Sequence, residues 1–331
     1  MAKKAHSGPS GLVVVDKPAG ITSHDVVSQL RRLAQTRKVG HAGTLDPMAT
    51  GVLILGIGKA TKLLTYIVGE SKTYTATMRL GQATVTDDAE GEFTALASAD
   101  AVAAVTESQI AEHVAELTGD IMQVPSSVSA IKVNGVRSYA KVRGGEEVKL
   151  EPRPVTISEF SVHSIDRVET PQGAAIDCRV TVSCSSGTYI RALARDLGEK
   201  LGIGGHLTAL RRTRIGEITE EKALTLEALE ALKGELGELP MLSLEDAATR
   251  LFAVRQLTAA EATDLSNGRR ITHNPTGAQS PEADQPSDAV HAAYAPDGRL
   301  VALTKNTTFR GSYLAAPELV FEAGQTFGET E

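Results

Sequence analysis

The chain has 331 residues, 41% hydrophobic and 23% charged, with a net charge of −7. That is ordinary globular material, enough for one large domain and a small one. No apolar run reaches the roughly eighteen residues of a transmembrane helix, and residues 1–10 carry charge without an apolar core, so neither a membrane span nor a signal peptide is expected. Cys178 and Cys184 match neither a zinc knuckle nor a disulfide framework. The expected compartment is a reducing cytoplasm.

Acidity argues at first against a nucleic-acid partner, but the charge is segregated. Residues 1–72 hold ten Lys/Arg against four Asp/Glu, and residues 179–214 hold seven against two. Residues 84–120 hold nine acids and no Lys or Arg, and residues 217–247 nine acids against two bases. Two basic stretches that met in space could follow phosphates whatever the global charge. The plain alternative is that each is a solvated face.

Taken in chain order, Leu12–Val15 reads as a strand running into the turn Asp16–Gly20. Thr22 to Asp25 has the form of a capping box. Val26, Val27, Leu30, Leu33 and Ala34 follow at helical spacing, with Arg31, Arg32, Arg37 and Lys38 as its basic end. Next comes Gly40-His-Ala-Gly-Thr-Leu-Asp-Pro-Met-Ala-Thr-Gly51, a turn-rich segment that presents one acid, Asp46, among small residues. Pro47 pushes Asp46 away from helical geometry, and the glycines let backbone approach another surface. An ordinary Asx turn would look the same.

Val52–Ile57 is a buried-strand candidate, Ala60–Val68 a short helix, and residues 73–80 an alternating strand with Tyr74, Ala76, Met78 and Leu80 on one side. Residues 107–118 form an acidic helix stopped by Gly119. Several short strands are expected within 128–133 and 153–184. Ile190, Leu193, Ala194, Leu197 and Leu201 mark an amphipathic helix, and residues 222–239 a polar helical stretch. From about residue 250 the character changes. A capping box at Thr258–Glu261, a polar Pro-rich loop at 274–288, and strands at 289–294, 300–304 and 319–321 suggest a small β-rich unit. The helices do not alternate strictly with the strands. This points to an α+β fold with a mainly antiparallel or mixed central sheet, divided into residues 10–248 and 249–325.

Gly56-Ile-Gly-Lys-Ala-Thr61 fails as a phosphate loop, because Leu53 stands where the first glycine belongs. Lys59 and Lys62 remain candidates for contacting the phosphates of a macromolecule. The histidines form no metal-binding spacing. Ser183–Gly187 lacks the frame of a nucleophile elbow. Ser185-Ser-Gly-Thr-Tyr-Ile-Arg191 is more informative. It brings Tyr189 and Arg191 to a helix mouth, where Arg191 flanks the buried face. Such an arginine usually bridges to a carboxylate as scaffold; paired with Asp46, it would orient that group. Tyr74 is by default a core residue, or else a platform for an extruded base.

The segments 11–24, 40–53, 58–62 and 72–74, followed by Gln123-Val-Pro125, Ser129–Gly135, Ser186–Arg191 and Gly205–Arg212, resemble in order the TruB family of tRNA pseudouridine synthases. The resemblance is close over residues 10–215 and weaker through the C-terminal unit, which is similar to a PUA-type RNA-binding module. It implies the pseudouridine synthase fold and conversion of one T-loop uridine, tRNA position 55, to pseudouridine, without metal or organic cofactor. Asp46 matches the family's essential aspartate, Arg191 its paired arginine, and Tyr74 the tyrosine that stacks on the target base. His41, Tyr189 and Leu210 match positions lining the flipped nucleotide. The chain departs from the family at Pro125-Ser126-Ser127 and at residues 274–288, away from the matched catalytic positions.

The chemistry agrees. Isomerising uridine breaks the N-glycosidic bond, turns the uracil, and joins its C5 to the same sugar carbon. It involves no net redox change, and one carboxylate can serve as nucleophile or base. The base must first leave its stack, at a cost of about a few kcal/mol. Tyr74 and His41 would offset that cost. The expected partner is the tRNA T-arm, with no guide RNA, no membrane, and a monomeric enzyme. A nucleoside hydrolase, an RNA-binding protein that does not need Asp46, and a guide-dependent relative remain open alternatives.

Overall fold

The computed structural model describes residues 8–127, 132–133, 136–137, 150–272 and 289–328. The Ser129–Gly135 motif falls largely, and the 274–288 loop wholly, outside them. Among the described residues the fold is α+β, built on a ten-stranded sheet. In spatial order its main path runs Leu242–Ser243, Gly11–Lys17, Thr50–Ile57, Gly205–Ile215, Lys72–Leu80, Gly173–Cys184, Arg153–Thr170 and Gly119–Gln123. Neighbours are antiparallel except at one seam, where Arg211 and Arg212 lie parallel to Thr50 and Gly51.

That seam needs glycine. Gly51 has φ +98°, and a Cβ there would lie 2.2 Å from the Arg212 carbonyl oxygen. No L side chain fits so close an approach.

The strand Lys72–Leu80 alternates as the sequence predicts, with Lys72, Tyr74, Ala76, Met78 and Leu80 buried. Their face packs with the helix Ile190–Lys200 into one core cluster, through Ile190, Leu193, Ala194 and Leu197. A second cluster, around the helix Ser23–Leu33, covers Val13, Val15, Leu53 and Leu55. This helix starts at the expected capping box of Thr22 and Asp25. It ends at Leu33, so Arg37 and Lys38 lie beyond it and do not serve as its basic end.

Several expected boundaries move. The helix expected over Ala60–Val68 divides into a 3-10 turn, Gly58–Lys62, and a helix, Leu64–Gly69. The short strands expected within 153–184 are two long ones, Arg153–Thr170 and Gly173–Cys184, paired as a hairpin with two irregular steps. Those irregularities interrupt the alternation that would have revealed their length. In the C-terminal unit, Leu300–Phe309 and Ser312–Val320 likewise form a longer hairpin than expected.

The smaller, five-stranded sheet runs Ala253–Gln256, Val290–Tyr294, Leu300–Phe309, Ser312–Val320 and Ile271–Thr272. The 248/249 boundary falls inside the helix Leu244–Leu251. Leu244 and Ala248 share one core cluster with Leu12 and Ile54 of the large sheet and with Tyr294, Leu303 and Phe321 of the small one. Lys59 and Lys62, expected as phosphate contacts, are used here instead. Lys59 pairs with Glu322, and the Lys62 ammonium donates to the Val320 carbonyl at 2.8 Å and sits 5.5 Å from the Phe321 ring centroid.

The helix Ile190–Lys200 owes its closeness to the strand Gly205–Ile215 to two further glycines. A Cβ on Gly198 would lie 2.1 Å from the Gly204 carbonyl carbon, and one on Gly205 2.3 Å from the Ala194 carbonyl oxygen. Gly198→Ala should therefore destabilise the fold by about 2 kcal/mol through overpacking. The denaturant midpoint reads this directly; a variant with an unchanged midpoint would show that the helix can shift outward freely.

Candidate active site

Asp46 lies in the loop joining Val39–Ala42 to Thr50–Ile57, two strands that pair antiparallel with Ala42 opposite Ile54. The turn after the first strand holds this loop from below. Gly20 N–H donates to the Pro47 carbonyl at 2.9 Å, and the Ser23 hydroxyl accepts from Leu45 N–H at 2.9 Å. Lys17 is fully buried, and its ammonium donates to the carbonyls of Ile21 (2.7 Å), Pro18 (2.8 Å) and Pro47 (3.1 Å). Burial pulls the Lys17 pKa down to about 8, against the opposing pull of the Asp46 carboxylate. Arg212, also buried, joins the two ends of the loop, donating to Val52 O at 2.8 Å and Gly43 O at 3.0 Å.

The helix mouth brings Arg191 to this loop. Its Nε donates to Asp46 Oδ2 at 3.0 Å. Its Nη1 donates to the Thr86 carbonyl at 2.6 Å and lies 3.4 Å from Asp88 Oδ2. The Arg191 side chain is 4% exposed and that of Asp46 37%. A buried guanidinium thus anchors a carboxylate that still faces solvent, and the pairing fixes its direction. Gln123 sets the helix mouth itself. Its side-chain amide accepts from Tyr189 N–H at 2.8 Å and donates to the Tyr189 carbonyl at 3.1 Å.

Asp46, Tyr74, Tyr189, Arg191 and Leu210 line one cavity of about 290 Å³, together with Lys72 and Arg212. This is near the lower end of ligand-pocket sizes, about 300–1,000 Å³. Tyr74 is buried, and that burial pushes its hydroxyl pKa up. Lys72 donates to the carbonyls of Glu70 (2.6 Å) and Val68 (3.0 Å), and burial brings its pKa down to about 8. His41 is not on the cavity wall. It lies on the strand Val39–Ala42, its ring 5.8 Å from that of His24 and edge-on to it. Burial, with His24 and Arg212 nearby, pushes its pKa down. A larger cavity, about 870 Å³, lies by Leu12–Val14 and Ile215–Ile218, away from the Asp46–Arg191 pair.

The two basic stretches do meet, but largely by neutralising internal acids. Arg211 binds Asp16 through both terminal nitrogens, at 2.9 and 2.8 Å, and Glu220 at 2.7 Å. Arg195 pairs with Asp87 and Asp196. Of the described cations in the two stretches, Arg31, Arg32, Arg37, Lys38, Arg179 and Lys200 are exposed, and of these Arg32, Arg179 and Lys200 pair with Glu230, Asp166 and Glu116. Among the described residues no three His, Cys, Asp or Glu side chains are grouped to hold a metal. Nor is any helix long and apolar enough to cross a membrane. Cys178 and Cys184 are free and buried, and burial pushes their thiols up to about 12 and about 11.

Sequence reasoning passed over four residues that build the site: Lys17, Gln123, Arg212 and Asp88. The first three stand in segments that carry the family resemblance. For Asp88 the acidic run was the only signal.

Comparison with known proteins fits this geometry. Residues 31–190 match the TruB family pseudouridylate synthase N-terminal domain. Residues 191–240 match the tRNA pseudouridylate synthase B C-terminal domain, and 252–315 the tRNA pseudouridine synthase II C-terminal domain. The chain is 62% identical over 312 residues to tRNA pseudouridine synthase B of Arthrobacter sp. (strain FB24), covering 94% of this chain and 96% of the relative. It is 51% identical to the Streptomyces coelicolor protein of the same name, over 94% of this chain and 98% of that one. Among solved structures, a chain of an H/ACA RNP bound to a substrate RNA containing 2'-deoxyuridine superposes with a TM-score of 0.67 at 23% identity, over 96% of this chain and 87% of that one. A Cbf5-Nop10-Gar1 complex gives 0.65 at 24% identity, over 95% and 85%, so the fold is shared. The chain belongs to the TruB family of pseudouridylate synthases.

Proposed function

We propose that this enzyme isomerises a T-loop uridine of tRNA, position 55, to pseudouridine, with Asp46 as the group that drives the exchange. The observation that carries this reading is the 3.0 Å pairing of Asp46 with buried Arg191 at the wall of a nucleoside-sized cavity. The N1–C1' bond breaks, the uracil turns, C5 bonds to C1', the C5 proton leaves, and N1 takes up a proton. Asp46 supplies the carboxylate for this exchange, and Arg191 keeps it aimed. Tyr74 offers a ring against which the extruded base stacks, while Tyr189 and Leu210 close its other sides. His41, which lies outside the cavity beside His24, meets the RNA where the base has left its stack.

The unit built on the large sheet, up to the helix Leu244–Leu251, is catalytic, and the unit that follows it, to residue 325, is a PUA-like module that holds RNA. The enzyme acts as a monomer in the cytoplasm, without guide RNA or cofactor. The exposed cations Arg31, Arg37 and Lys38 meet the RNA backbone, so affinity falls as salt rises.

An unmodified tRNA transcript tritiated at uridine C5 tests the reaction. The wild-type chain should release one tritium per tRNA, and Asp46→Asn should bind the tRNA but release none. Free uracil as product would instead mean hydrolysis, and full release by Asp46→Asn would remove the aspartate from the chemistry.

A second prediction concerns pH. Lys17 and Lys72 lose their charge as pH rises through about 8. A neutral amine has two N–H groups for the three carbonyls that Lys17 holds, so the Asp46 loop loosens. Turnover should therefore decline above pH 8. Global stability should not decline with it on account of these groups. Their folded pKa lies below the unfolded 10.5, so between about 8 and 10.5 the unfolded chain binds more protons, and this contribution to stability rises with pH. Thermal melts beside the rate profile separate the two effects. A flat rate profile to pH 10 would exclude the lysine clamp.

A further inference from the structure

We infer that Arg195 is a positioning residue for the reaction, acting through the loop 84–91 upon Arg191 and so upon Asp46; this rests on the reading of Asp46 given above. Arg191 and Arg195 are one turn apart on the helix Ile190–Lys200 and therefore share a face. Both reach the same loop. Arg191 takes the Thr86 carbonyl at 2.6 Å and Asp88 Oδ2 at 3.4 Å. Arg195 takes the residue between them, its Nη1 donating to Asp87 Oδ2 at 3.3 Å.

The backbone at that residue is the reason the contact matters. Asp87 has φ +59°, a left-handed conformation that a non-glycine residue keeps only when its surroundings hold it. Its carbonyl accepts from Leu207 N–H at 3.0 Å, which ties the loop to the strand Gly205–Ile215. Its N–H donates to the Thr84 carbonyl at 3.3 Å within the loop, and its carboxylate, bound by Arg195, is the tie that reaches the helix. If Asp87 relaxed, the peptide units on either side would rotate, and these carry Thr86 O and lead to Asp88. Arg191 would then lose the acceptors that fix its fork, while its Nε alone held Asp46.

Arg195 is itself well anchored. Nε and Nη2 donate to Asp196 Oδ1 at 2.9 and 2.7 Å, and Nη2 also donates to the Val124 carbonyl at 2.7 Å. That last bond joins the loop to the end of the strand Gly119–Gln123, next to the glutamine that clamps Tyr189. One guanidinium thus connects the loop behind Arg191 with the strand end that sets the helix mouth. Arg195 does not line the cavity. Its effect should therefore fall on the rate with bound tRNA and spare the binding of tRNA.

The test is single-turnover kinetics on an unmodified tRNA transcript, with tRNA affinity and melting temperature measured on the same samples. Arg195→Met should slow the step at saturating tRNA by about ten- to a hundredfold, the scale of a small misplacement of a reacting group. The tRNA Kd should stay within about threefold. Arg195→Lys, which can still reach Asp87, should recover part of the rate. Asp87→Asn, which keeps the size of the side chain and removes its charge, should show the same split if Arg195→Met does not fold. A wild-type rate in Arg195→Met, or a loss of rate matched by an equal loss of affinity, would overturn the inference. Asp46→Asn run alongside keeps the two ideas apart. If it is inert while Arg195→Met is fully active, only the role of Arg195 fails; if it is active, the reading of the site fails first.

Discussion

A buried guanidinium held by acceptors from two loops is the constraint around which this site is arranged. The Arg191 side chain is 4% exposed, so its charge must be compensated where it stands. Asp46, Asp88 and the Thr86 carbonyl do so from two separate loops. Removing one partner from such a buried group typically costs about 3–5 kcal/mol, because the charge stays behind. The helix, the loop 84–91 and the Asp46 loop are therefore tied energetically as well as geometrically. The Asp46 carboxylate is the member of the set that remains open to solvent.

The sheet topology makes that meeting possible. The one parallel seam of the large sheet, among the described residues, lets the strand carrying Arg212 run beside the strand that leaves the Asp46 loop. Leu210 and Arg212 then reach the cavity from one neighbour and Tyr74 from the next, while the helix covers the face behind them. The glycines at 51, 198 and 205 let these elements approach to distances a Cβ would forbid. The acids along the chain serve a similar end. Asp16, Asp87, Asp88 and Asp196 each take an arginine from the second basic stretch. A charge count along the sequence overstates the positive surface for this reason.

Much of this was legible in the sequence. Alternation from residue 73 to 80 and helical spacing from 190 to 201 follow directly from which side chains face the core. Glycine and proline around Asp46 mark a presented acid, while the pairing of Arg191 with it follows from the family resemblance, since spacing alone leaves that arginine free to bridge any neighbouring carboxylate. The lengths of the hairpins at 153–184 and 300–320 were not legible, because bulges break a period of two and partly exposed strands carry little apolar signal. Lys17 and Arg212 were hidden for another reason. Charged residues are rarely fully buried, and their partners here are backbone carbonyls, which leave no mark on residue identity. Lys59 and Lys62 misled because a surface lysine and one that docks a second sheet look alike in sequence.

The Asp46 loop spans only residues 43–49 between two strands already zipped side by side, with Ala42 opposite Ile54. Closing so short a connection between fixed ends leaves the chain few conformations to lose. Lys17, Ser23 and Arg212 remove most of those that remain. The freedom of the Asp46 carboxylate is thus surrendered at folding, before any tRNA arrives. A substrate that enters this cavity meets the carboxylate already in place, and none of its binding energy is needed to assemble the protein around it.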